Sequence, residues 1–336
     1  MIQLSIIIIN YKSAQLVIDC LNTVYAQTNG INFEVIVVDN DSHDGGRELI
    51  LGQFPSVKWI DMSYNSGFAR ANNEGIRQST GEAVLLLNAD TLVEDNAIEK
   101  CFDLFSRSEY VACGVQLVNP DGSIQISGSY FMTGGLNNLL PLPYVGSIVK
   151  WAGNIFRVKP PSVETSQDYL EVDWVNGAFL MVKKTAIDKS GLMDEDFFLY
   201  AEEAEWCARL KKAGRICLYG KFRVIHLQGE TANKVFRSKG KGYYNLYDRK
   251  GLQIMLSNFV RIRKQFGLVW FLINLLLYTI EIPIFFVGNM LSLFRIRSRP
   301  AFSWKNFAQY TSNVLFIWSE LFNITSNKPH FYKVHV

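Results

Sequence analysis

The fold is decided by the run Ile6-Ile7-Ile8-Ile9-Asn10-Tyr11, in which four β-branched residues lead directly into two polar ones. An unbroken β-branched run is typical of a strand that is buried on both faces of a sheet. A second buried strand is predicted at Val35–Val38, a third strand at Val57–Met62 and a fourth at Ala83–Leu87. The sequence therefore predicts several neighbouring strands of one central sheet.

Segments with helical spacing separate these strands. Apolar residues recur on one side of residues 13–27, and helices are also predicted over 44–51, 68–78 and 94–108. Alternating strands and helices predict βαβ units and a mostly parallel sheet flanked by helices. Ligands bind such sheets at the carboxyl ends of the strands. The polar residues at predicted strand ends are Asn10, Tyr11, Asp39, Asn88 and Asp90.

The pattern changes in the second part of the chain. Residues 131–165 are rich in Gly and Pro and are predicted to form a long loop or lid. Val172–Val182 is predicted as a strand with an apolar turn that contains Gly177, residues 201–212 as a helix, and 215–227 as one or two strands that end at His226. Residues 229–242 combine Gly, Lys and Asn and are predicted to be mobile.

Charge divides the chain into two regions. Residues 1–230 hold 19 Lys/Arg against 28 Asp/Glu, whereas residues 231–336 hold 15 against 3. An acidic region suits an enzyme that binds a cation, and a basic region with apolar runs suits anionic lipid rather than nucleic acid. The five cysteines lack metal or redox spacing, and the short N-terminal apolar run does not resemble a signal peptide. A reducing, cytoplasmic location is expected.

Several enzyme classes are disfavoured because their motifs are missing. No Gly-x-Gly-x-x-Gly follows the first strand, and Ser238-Lys239-Gly240-Lys241-Gly242 lacks the strand and helix that a P-loop requires. The sequence also lacks a nucleophile elbow and a zinc-protease motif. The missing motifs therefore disfavour a kinase, a GTPase or a dehydrogenase.

Three positions could carry chemistry. Asp90 follows a buried strand and could hold a divalent cation, although it could equally cap the next helix. Glu202 and Glu203 open a helix, where the helix dipole alone would favour them, but one could serve as a general base. His226 ends a strand, and it is either structural or part of a metal site.

Five ordered motifs together resemble family-two glycosyltransferases with the GT-A fold, over residues 2–230. The motifs are Ile7–Tyr11 with Val37–Ser42, Asn65–Gly75, Leu86–Asp90, Asp173–Phe179 with Phe197–Glu205, and Val224–His226. The resemblance implies a Rossmann-like sheet and inverting transfer of a sugar from a nucleotide-diphospho-sugar. The run Leu117–Gln125 is most similar to rhamnosyltransferases that use dTDP-rhamnose.

The resemblance also implies roles for residues of this sequence. Glu203 would be the base, and Asp90 with His226 would hold Mg²⁺ or Mn²⁺ against the diphosphate. The implied donor-binding residues are Asn10, Tyr11, Asp39, Asn40, Asn65, Gly67, Arg70, Asn73 and Asn88. The implied acceptor-side residues are Trp174, Asn176, Gly177 and Glu202.

Two departures from the family pattern affect these roles. The family usually has Asp where this chain has Glu203 and Glu205, so either Glu203 or a neighbouring glutamate could be the base. The metal motif reads Asn88-Ala89-Asp90 and offers a single carboxylate.

Residues 267–294 contain one charge, Glu281, and are long enough to cross a bilayer. Basic residues on both sides favour a hairpin or helices in the membrane interface over a single span, and Pro283 could break the segment. Buried helices packed on the catalytic domain or in a homo-oligomer are the alternative.

The sequence thus predicts a catalytic domain over 1–230, with a nucleotide-binding half (1–118) and an acceptor half (119–230). A basic, apolar helical region over 231–336 would associate with the inner face of the cell membrane. The expected partners are a dTDP- or UDP-sugar and a saccharide or lipid-linked acceptor of cell-surface polysaccharide synthesis. The alternatives are a nucleotidyltransferase and a non-catalytic scaffold that binds sugar nucleotides.

Overall fold

The isoleucine run forms β1 (Leu4–Asn10), a strand at the centre of a parallel set. The computed structural model describes residues 1–163, 168–227, 233, 236, 238, 245–292 and 303–334. Strand β1 pairs in parallel with β2 (Phe33–Asp39) on one side and with β4 (Ala83–Leu87) on the other. Strand β3 (Lys58–Asp61) extends the parallel set beyond β2.

Beyond β4 the sheet becomes mixed. Its remaining strands are β5 (Thr91–Val93), β6 (Ala112–Val118), β9 (Tyr169–Val172), β11 (Phe179–Lys183) and β12 (Ile216–His226). The strand order is β3-β2-β1-β4-β11-β6-β12-β5, and β9 also pairs with β12. Strand β11 is antiparallel to β4 and β6, whereas β12 is parallel to β6.

Helices cover this sheet because each presents an apolar stripe to it. Val17, Leu21 and Val24 of the first helix are fully buried in the core together with Ile6, Ile8 and Val37 of the sheet. The helices are α1 (Ala14–Gln27), α2 (Gly46–Gln53), α3 (Gly67–Gln78), α4 (Ala97–Ser106), α6 (Lys184–Ser190) and α7 (Glu202–Leu210). The mostly parallel sheet flanked by helices confirms the predicted fold class.

The described chain divides into two compact units. Unit 1 comprises residues 1–130, 162–198 and 202–231, and unit 2 comprises 131–161, 199–201 and 232–336. The division near residue 231 lies beside the predicted boundary at 230. Residues 131–161 and 199–201, however, group with the C-terminal part. Unit 1 also holds a small sheet of β7 (Gly128–Ser129), β8 (Ser162–Val163) and β10 (Trp174–Val175).

Unit 2 is helical in its described residues. Its helices are a 3₁₀ helix at Thr133–Leu139, α5 (Val145–Ile155), α8 (Arg249–Phe266), α9 (Leu268–Ser292), α10 (Trp304–Ser319) and α11 (Leu321–Ser326). Aromatic rings form its core: Phe259 packs edge-on against Phe271 and Tyr278 at centroid distances of 5.7 and 5.0 Å. Helix α9 passes Pro283 without a break, and by length and composition it is the one described helix that could cross a membrane.

Three expectations were wrong in detail. The Gly- and Pro-rich stretch 131–165 is not all loop, because it contains the 3₁₀ helix and α5. The predicted strand Val172–Val182 is divided among β9, β10 and β11, and the predicted turn containing Gly177 lies between β10 and β11, where Asn176 accepts a hydrogen bond from the Ala178 amide at 2.9 Å. Pro283 does not break α9, because packing on both sides of it holds the helix. Most of the predicted mobile segment 229–242 lies outside the described residues.

Candidate active site

The first two predicted strand ends meet at one edge of the sheet. Asn10 and Asp39 are paired in register on β1 and β2, and Asn10 Nδ2 donates to Asp39 Oδ1 at 2.7 Å. Asn10 is fully buried, while Asp39 keeps a small exposed area. Asn10 thus orients the aspartate from behind, and Asp39, with the partly exposed Tyr11 beside it in sequence, is the group available to a ligand.

Ser42 completes this corner. Its amide donates to Asp39 Oδ2 at 3.0 Å, and its hydroxyl accepts from Asn10 Nδ2 at 3.1 Å and from the Lys12 amide at 3.0 Å. Both oxygens of Asp39 are therefore held in place, as pre-organised ligand contacts require. Ser42 lies inside the quoted motif Val37–Ser42, and its side chain was not assigned a role from the sequence.

Asn40 and Asn65 are brought together at the start of α3. Asn40 Oδ1 accepts from the amide and the hydroxyl of Ser66 at 2.8 and 2.9 Å, and Asn40 Nδ2 donates to Asn65 Oδ1 at 3.1 Å. Gly67 has a φ of +80°, and a Cβ there would lie 2.3 Å from the carbonyl oxygen of Phe198. Only glycine fits this position.

Arg70 and Asn73 point their polar groups at the chain that precedes α7. Asn73 exchanges two hydrogen bonds with the backbone of Met193, both at 2.9 Å, and Arg70 Nε donates to the carbonyl of Glu195 at 2.9 Å. Arg77 adds an ion pair to the Glu195 carboxylate at 2.6 Å. The side chain of Asn73 therefore fastens α3 to residues 193–195 and is not presented to a donor.

Asp90 and His226 lie together although they are far apart in sequence. Strand β12 pairs with β5 so that His226 stands opposite Thr91, and His226 Nε2 lies 3.4 Å from Asp90 Oδ1. The Leu227 amide donates to the Asp90 carbonyl at 2.9 Å and holds the two segments together. Asn88 contributes through its backbone, whose carbonyl accepts from the Thr91 amide and hydroxyl.

Gln125 selects the tautomer of the neutral His226 ring. Gln125 Nε2 donates to the His226 carbonyl at 2.6 Å and to Asn119 Oδ1 at 2.8 Å. These two bonds fix the orientation of the amide and leave Gln125 Oε1 as the group 2.9 Å from His226 Nδ1. An amide oxygen accepts only, so Nδ1 carries a proton and the lone pair of the neutral ring is on Nε2.

This tautomer leaves both members of the pair as hydrogen-bond acceptors, an arrangement that suits a cation. A lone pair on His226 Nε2 and a carboxylate oxygen of Asp90 face each other, and two acceptors repel unless a cation or a proton lies between them. The carboxylate oxygen of Asp90 suits both Mg²⁺ and Mn²⁺, whereas an imidazole nitrogen is a ligand that transition metals prefer. Within the described part of the chain, no group of three or more His, Cys, Asp or Glu side chains gathers around one point.

The three glutamates of α7 differ in their surroundings. Glu205 is bound by Arg209, whose Nε and Nη2 donate to its two oxygens at 2.8 and 2.7 Å, so its role is structural. Glu202 is almost fully buried, and its Oε2 has no hydrogen-bond partner among the described residues. Burial, with the charge of Glu203 beside it, raises the pKa of Glu202 well above its usual value. Of this pair, Glu203 is therefore left to carry the negative charge.

The predicted acceptor-side residues gather near Glu203. A Cβ on Gly177 would lie 3.5 Å from Glu203 Cβ and 3.7 Å from Phe68 Cε1, so these residues are in contact range. Asn176 is buried, and it shapes the turn through its bond to Ala178. Trp174 is partly buried on β10, opposite Ser129. A methyl group on Gly177 would make ordinary van der Waals contact with the Glu203 side chain.

Two residues that shape the site carried different amounts of sequence signal. Gln125 stands in the run Leu117–Gln125, directly after a strong turn signal, but nothing in that pattern connects it with His226. Glu195 anchors Asn73, Arg70 and Arg77 and has no local signal at all. Both act on residues more than a hundred positions away, and only the folded chain brings them together.

Comparison with known proteins gives these positions a family context. The sequence model described as Glycosyl transferase family 2 matches residues 5–159. The low-salt glycan biosynthesis hexosyltransferase Agl10 of Haloferax volcanii is 28% identical over 218 residues, which cover 62% of this chain and 62% of the relative. The N-acetylglucosaminyl-diphospho-decaprenol L-rhamnosyltransferase of Mycobacterium tuberculosis is 28% identical over 205 residues, covering 55% and 63%. This chain thus spans less than two thirds of either relative.

Solved structures show the same fold. The mannosyltransferase PcManGT from Pyrobaculum calidifontis, in complex with GDP-Man and Mn²⁺, has a TM-score of 0.52 and 15% identity, and the match covers 95% of this chain and 88% of that one. GalNAc-T7 with UDP, GalNAc and Mn²⁺ has a TM-score of 0.51 and 14% identity, with coverage of 81% and 56%. At these identities the similarity extends to the fold alone.

Proposed function

Residues 5–159 match the Glycosyl transferase family 2 model, and on that premise we propose that this chain transfers a sugar from a nucleotide-diphospho-sugar to a saccharide or lipid-linked acceptor, with inversion at the anomeric carbon. The observation that carries the proposal is the Asp90–His226 pair, because its two facing acceptors call for a cation beside the site of a diphosphate. This transfer would be a step in the synthesis of a cell-surface polysaccharide.

The donor is proposed to bind at the strand ends. Asp39, held by Asn10 and Ser42, would accept hydrogen bonds from the nucleobase or ribose, beside Tyr11. Asp90 and His226 would hold Mg²⁺ or Mn²⁺, which neutralises the charge that builds on the leaving diphosphate. Asn40, Asn65, Gly67, Arg70 and Asn73 would support the donor pocket by fixing α3 rather than by direct contact.

Glu203 is the proposed base. Its carboxylate would take the proton from the acceptor hydroxyl as that oxygen bonds to the anomeric carbon from the face opposite the diphosphate. The bond between the anomeric carbon and the diphosphate oxygen breaks, and the nucleoside diphosphate leaves with the electron pair. Glu202, with its raised pKa, stays neutral beside it and does not compete for the proton.

The donor sugar that we propose to test first is rhamnose as dTDP-rhamnose, followed by UDP-sugars. The run Leu117–Gln125 resembles rhamnosyltransferases, and one relative of 28% identity is an L-rhamnosyltransferase by name. A lipid-linked acceptor is consistent with the C-terminal region, whose helix α9 exposes a long apolar face. We place the protein at the cytoplasmic face of the membrane, with α9 in the interface rather than across it.

The test is donor turnover by the purified full chain, with a panel of dTDP-, UDP- and GDP-sugars and Mg²⁺, Mn²⁺ or a chelator. Glu203→Gln is expected to lower turnover by roughly 10²–10⁴-fold while donor binding persists. Asp90→Asn is expected to lose metal-stimulated turnover. The matched control is Glu48→Gln, an exposed carboxylate in the first turn of α2.

The outcomes separate the alternatives. Release of a nucleoside diphosphate supports the transferase, whereas release of pyrophosphate would identify a nucleotidyltransferase. A scaffold would bind the donor equally well as wild type and as Glu203→Gln. It would turn over no donor with any acceptor extract. Full activity of Glu203→Gln would show that another residue is the base.

A further inference from the structure

Helix α5 turns its apolar residues outward. Ile148, Trp151 and Ile155 are spaced by three and four residues, so they lie on one face of the helix. These side chains are 60%, 65% and 55% exposed. Phe156 and Val158, directly after the helix, are also exposed. A stripe of this kind ordinarily faces a core, yet here it has no cover among the described residues.

The stripe is exposed even though α5 is firmly attached within unit 2. The amides of Tyr144 and Val145, at the start of the helix, donate to the two carboxylate oxygens of Glu281 at 2.9 and 2.8 Å. Glu281 is fully buried on α9 and caps α5, because its negative charge and its acceptors satisfy the first amides of the helix. These two hydrogen bonds fix the start of the helix to α9.

Helix α9 continues the exposed apolar surface inside the same unit. Val269, Leu276, Ile280, Val287 and Leu291 are exposed and recur at intervals that keep them on one face, whereas Phe271, Leu275, Tyr278 and Phe285 on the other face are buried. A third of the apolar window of α9 is buried within the protein. A helix with one face in protein and one apolar face outside is suited to lying along a membrane surface.

Charge identifies the occupant of the α5 stripe. Residues 131–161 contain Lys150, Arg157 and Lys159 and no acidic residue. Unit 2 as a whole holds 18 Lys/Arg against three Asp/Glu. An apolar stripe with Trp and Phe, bordered by basic side chains, matches an anionic phospholipid surface, in which rings enter the interface and cations meet the headgroups.

We propose that helix α5, with Phe156, is a membrane-inserting element that seats unit 2 on an anionic bilayer, held ready by the Glu281 cap. The inference deepens the proposed function, since it names the lipid surface that a lipid-linked acceptor would require. It also assigns a binding role to a segment outside the C-terminal region in which the sequence placed the membrane contact.

The first experiment measures binding of the full chain to vesicles of phosphatidylcholine and of equimolar phosphatidylcholine and phosphatidylglycerol. The triple variant Ile148→Ser, Trp151→Ser, Ile155→Ser is expected to lower partition onto the anionic vesicles at least about tenfold. The matched control, Leu49→Ser with Leu104→Ser, removes exposed apolar side chains from helices of unit 1 and is expected to bind as the wild type does. Equal binding of the triple variant and wild type would overturn the proposal.

A second experiment reports on α5 itself and does not depend on the triple variant folding. All five natural cysteines are buried, so Trp151→Cys offers a single exposed thiol for an environment-sensitive fluorophore. A blue shift on adding anionic vesicles is expected at this position and not at Leu49→Cys. Vesicle binding without a shift at position 151 would overturn the role of α5. Donor turnover without vesicles is measured in parallel, and its loss would count against the proposed function alone.

Discussion

Glu202 is a buried carboxylic acid at the start of α7, and the charged Glu203 follows it directly in sequence. Its pKa is raised by burial first and by Glu203 second. The unfolded chain releases this proton at a lower pH than the folded protein does. The free energy of unfolding therefore falls as pH rises from the usual glutamate pKa through the raised one.

Glu202→Gln is expected to remove this dependence. The variant should have a larger free energy of unfolding than the wild type at pH 8, and the difference should shrink towards pH 4, where both side chains are neutral. Urea unfolding at a series of pH values measures it. Glu48→Gln, on the surface, serves as the control, and a variant that is less stable at pH 8 than at pH 4 relative to the wild type would contradict the assignment.

Gly67 shows what one missing methyl group does for the site. Gly67→Ala would meet both a left-handed backbone and the Phe198 carbonyl at 2.3 Å. We expect a loss of roughly 2–4 kcal/mol in the free energy of unfolding. Gly45→Ala is the matched control, because Gly45 has a φ of +70° with nothing within 4 Å, and strain alone should cost about 1 kcal/mol. Equal losses in the two variants would show that contact with Phe198 is unimportant.

At the scale of elements, the important connection is between helix α3 and the chain before α7. Asn73 makes two backbone hydrogen bonds to Met193, and its neighbour Asn72 bonds only within its own helix, to Phe68. Both asparagines are buried. They form a matched pair that separates fastening from simple burial.

Asn73→Ala is expected to lower the free energy of unfolding by roughly 2–3 kcal/mol, since it leaves a buried amide and carbonyl without partners. It should also lower donor turnover, because residues 193–198 lead towards the proposed base. Asn72→Ala should keep turnover near that of the wild type. Unfolding by urea and donor turnover are measured on both variants, and equal turnover would remove α3 from the support of Glu203.

The elements of unit 1 were largely predictable, because β-branched runs and helical spacing are local signals. The turn containing Gly177 was predicted, but the separation of Val172–Val182 into β9, β10 and β11 was not, since it depends on strand partners far away in sequence. Helix α5 was hidden by its Gly and Pro neighbours, and its cap is Glu281, 136 residues from Val145. Pro283 suggested a break, but aromatic packing around Tyr278 and Phe285 outweighs the hydrogen bond that proline removes.

The candidate site was predictable as a set of residues and not as a set of roles. Asp39, Asp90 and His226 were named because they end strands, and the structure places Asp90 beside His226. Asn73 was named with the donor, yet its side chain is engaged by Met193. The tautomer of His226 depends on Gln125, a contact across 101 positions that no local pattern contains.

At the scale of the molecule, charge follows the two units more closely than it follows the chain. Unit 1 holds 16 Lys/Arg against 28 Asp/Glu, and unit 2 holds 18 against three. The proposed donor is an anion that would approach an acidic unit, so a divalent cation would offset unfavourable electrostatics as well as activate the leaving group. The basic unit, in contrast, is suited to an anionic membrane.

Salt should therefore weaken the binding of the protein to anionic membranes more than its binding to neutral ones. Raising NaCl from about 0.05 to about 0.5 M is expected to weaken binding to phosphatidylglycerol-containing vesicles severalfold, because the Debye length shortens from roughly 14 to 4 Å. Binding to pure phosphatidylcholine should change little. Vesicle co-sedimentation at both salt concentrations is the measurement, and an equal loss on the two vesicle types would argue against charge as the source of selectivity.

Strand β12 has a consequence for how the protein is made. It pairs with β6 and with β5, so His226 reaches Asp90 only after a strand far along the chain has joined strands synthesised much earlier. Closing such long loops is slow, and the nascent chain leaves the ribosome amino end first. A polypeptide still in synthesis can build β1, β2 and β4 with Asp39 while it lacks the cation pair. The corner around Asp39 can therefore form during synthesis before the Asp90–His226 pair is complete.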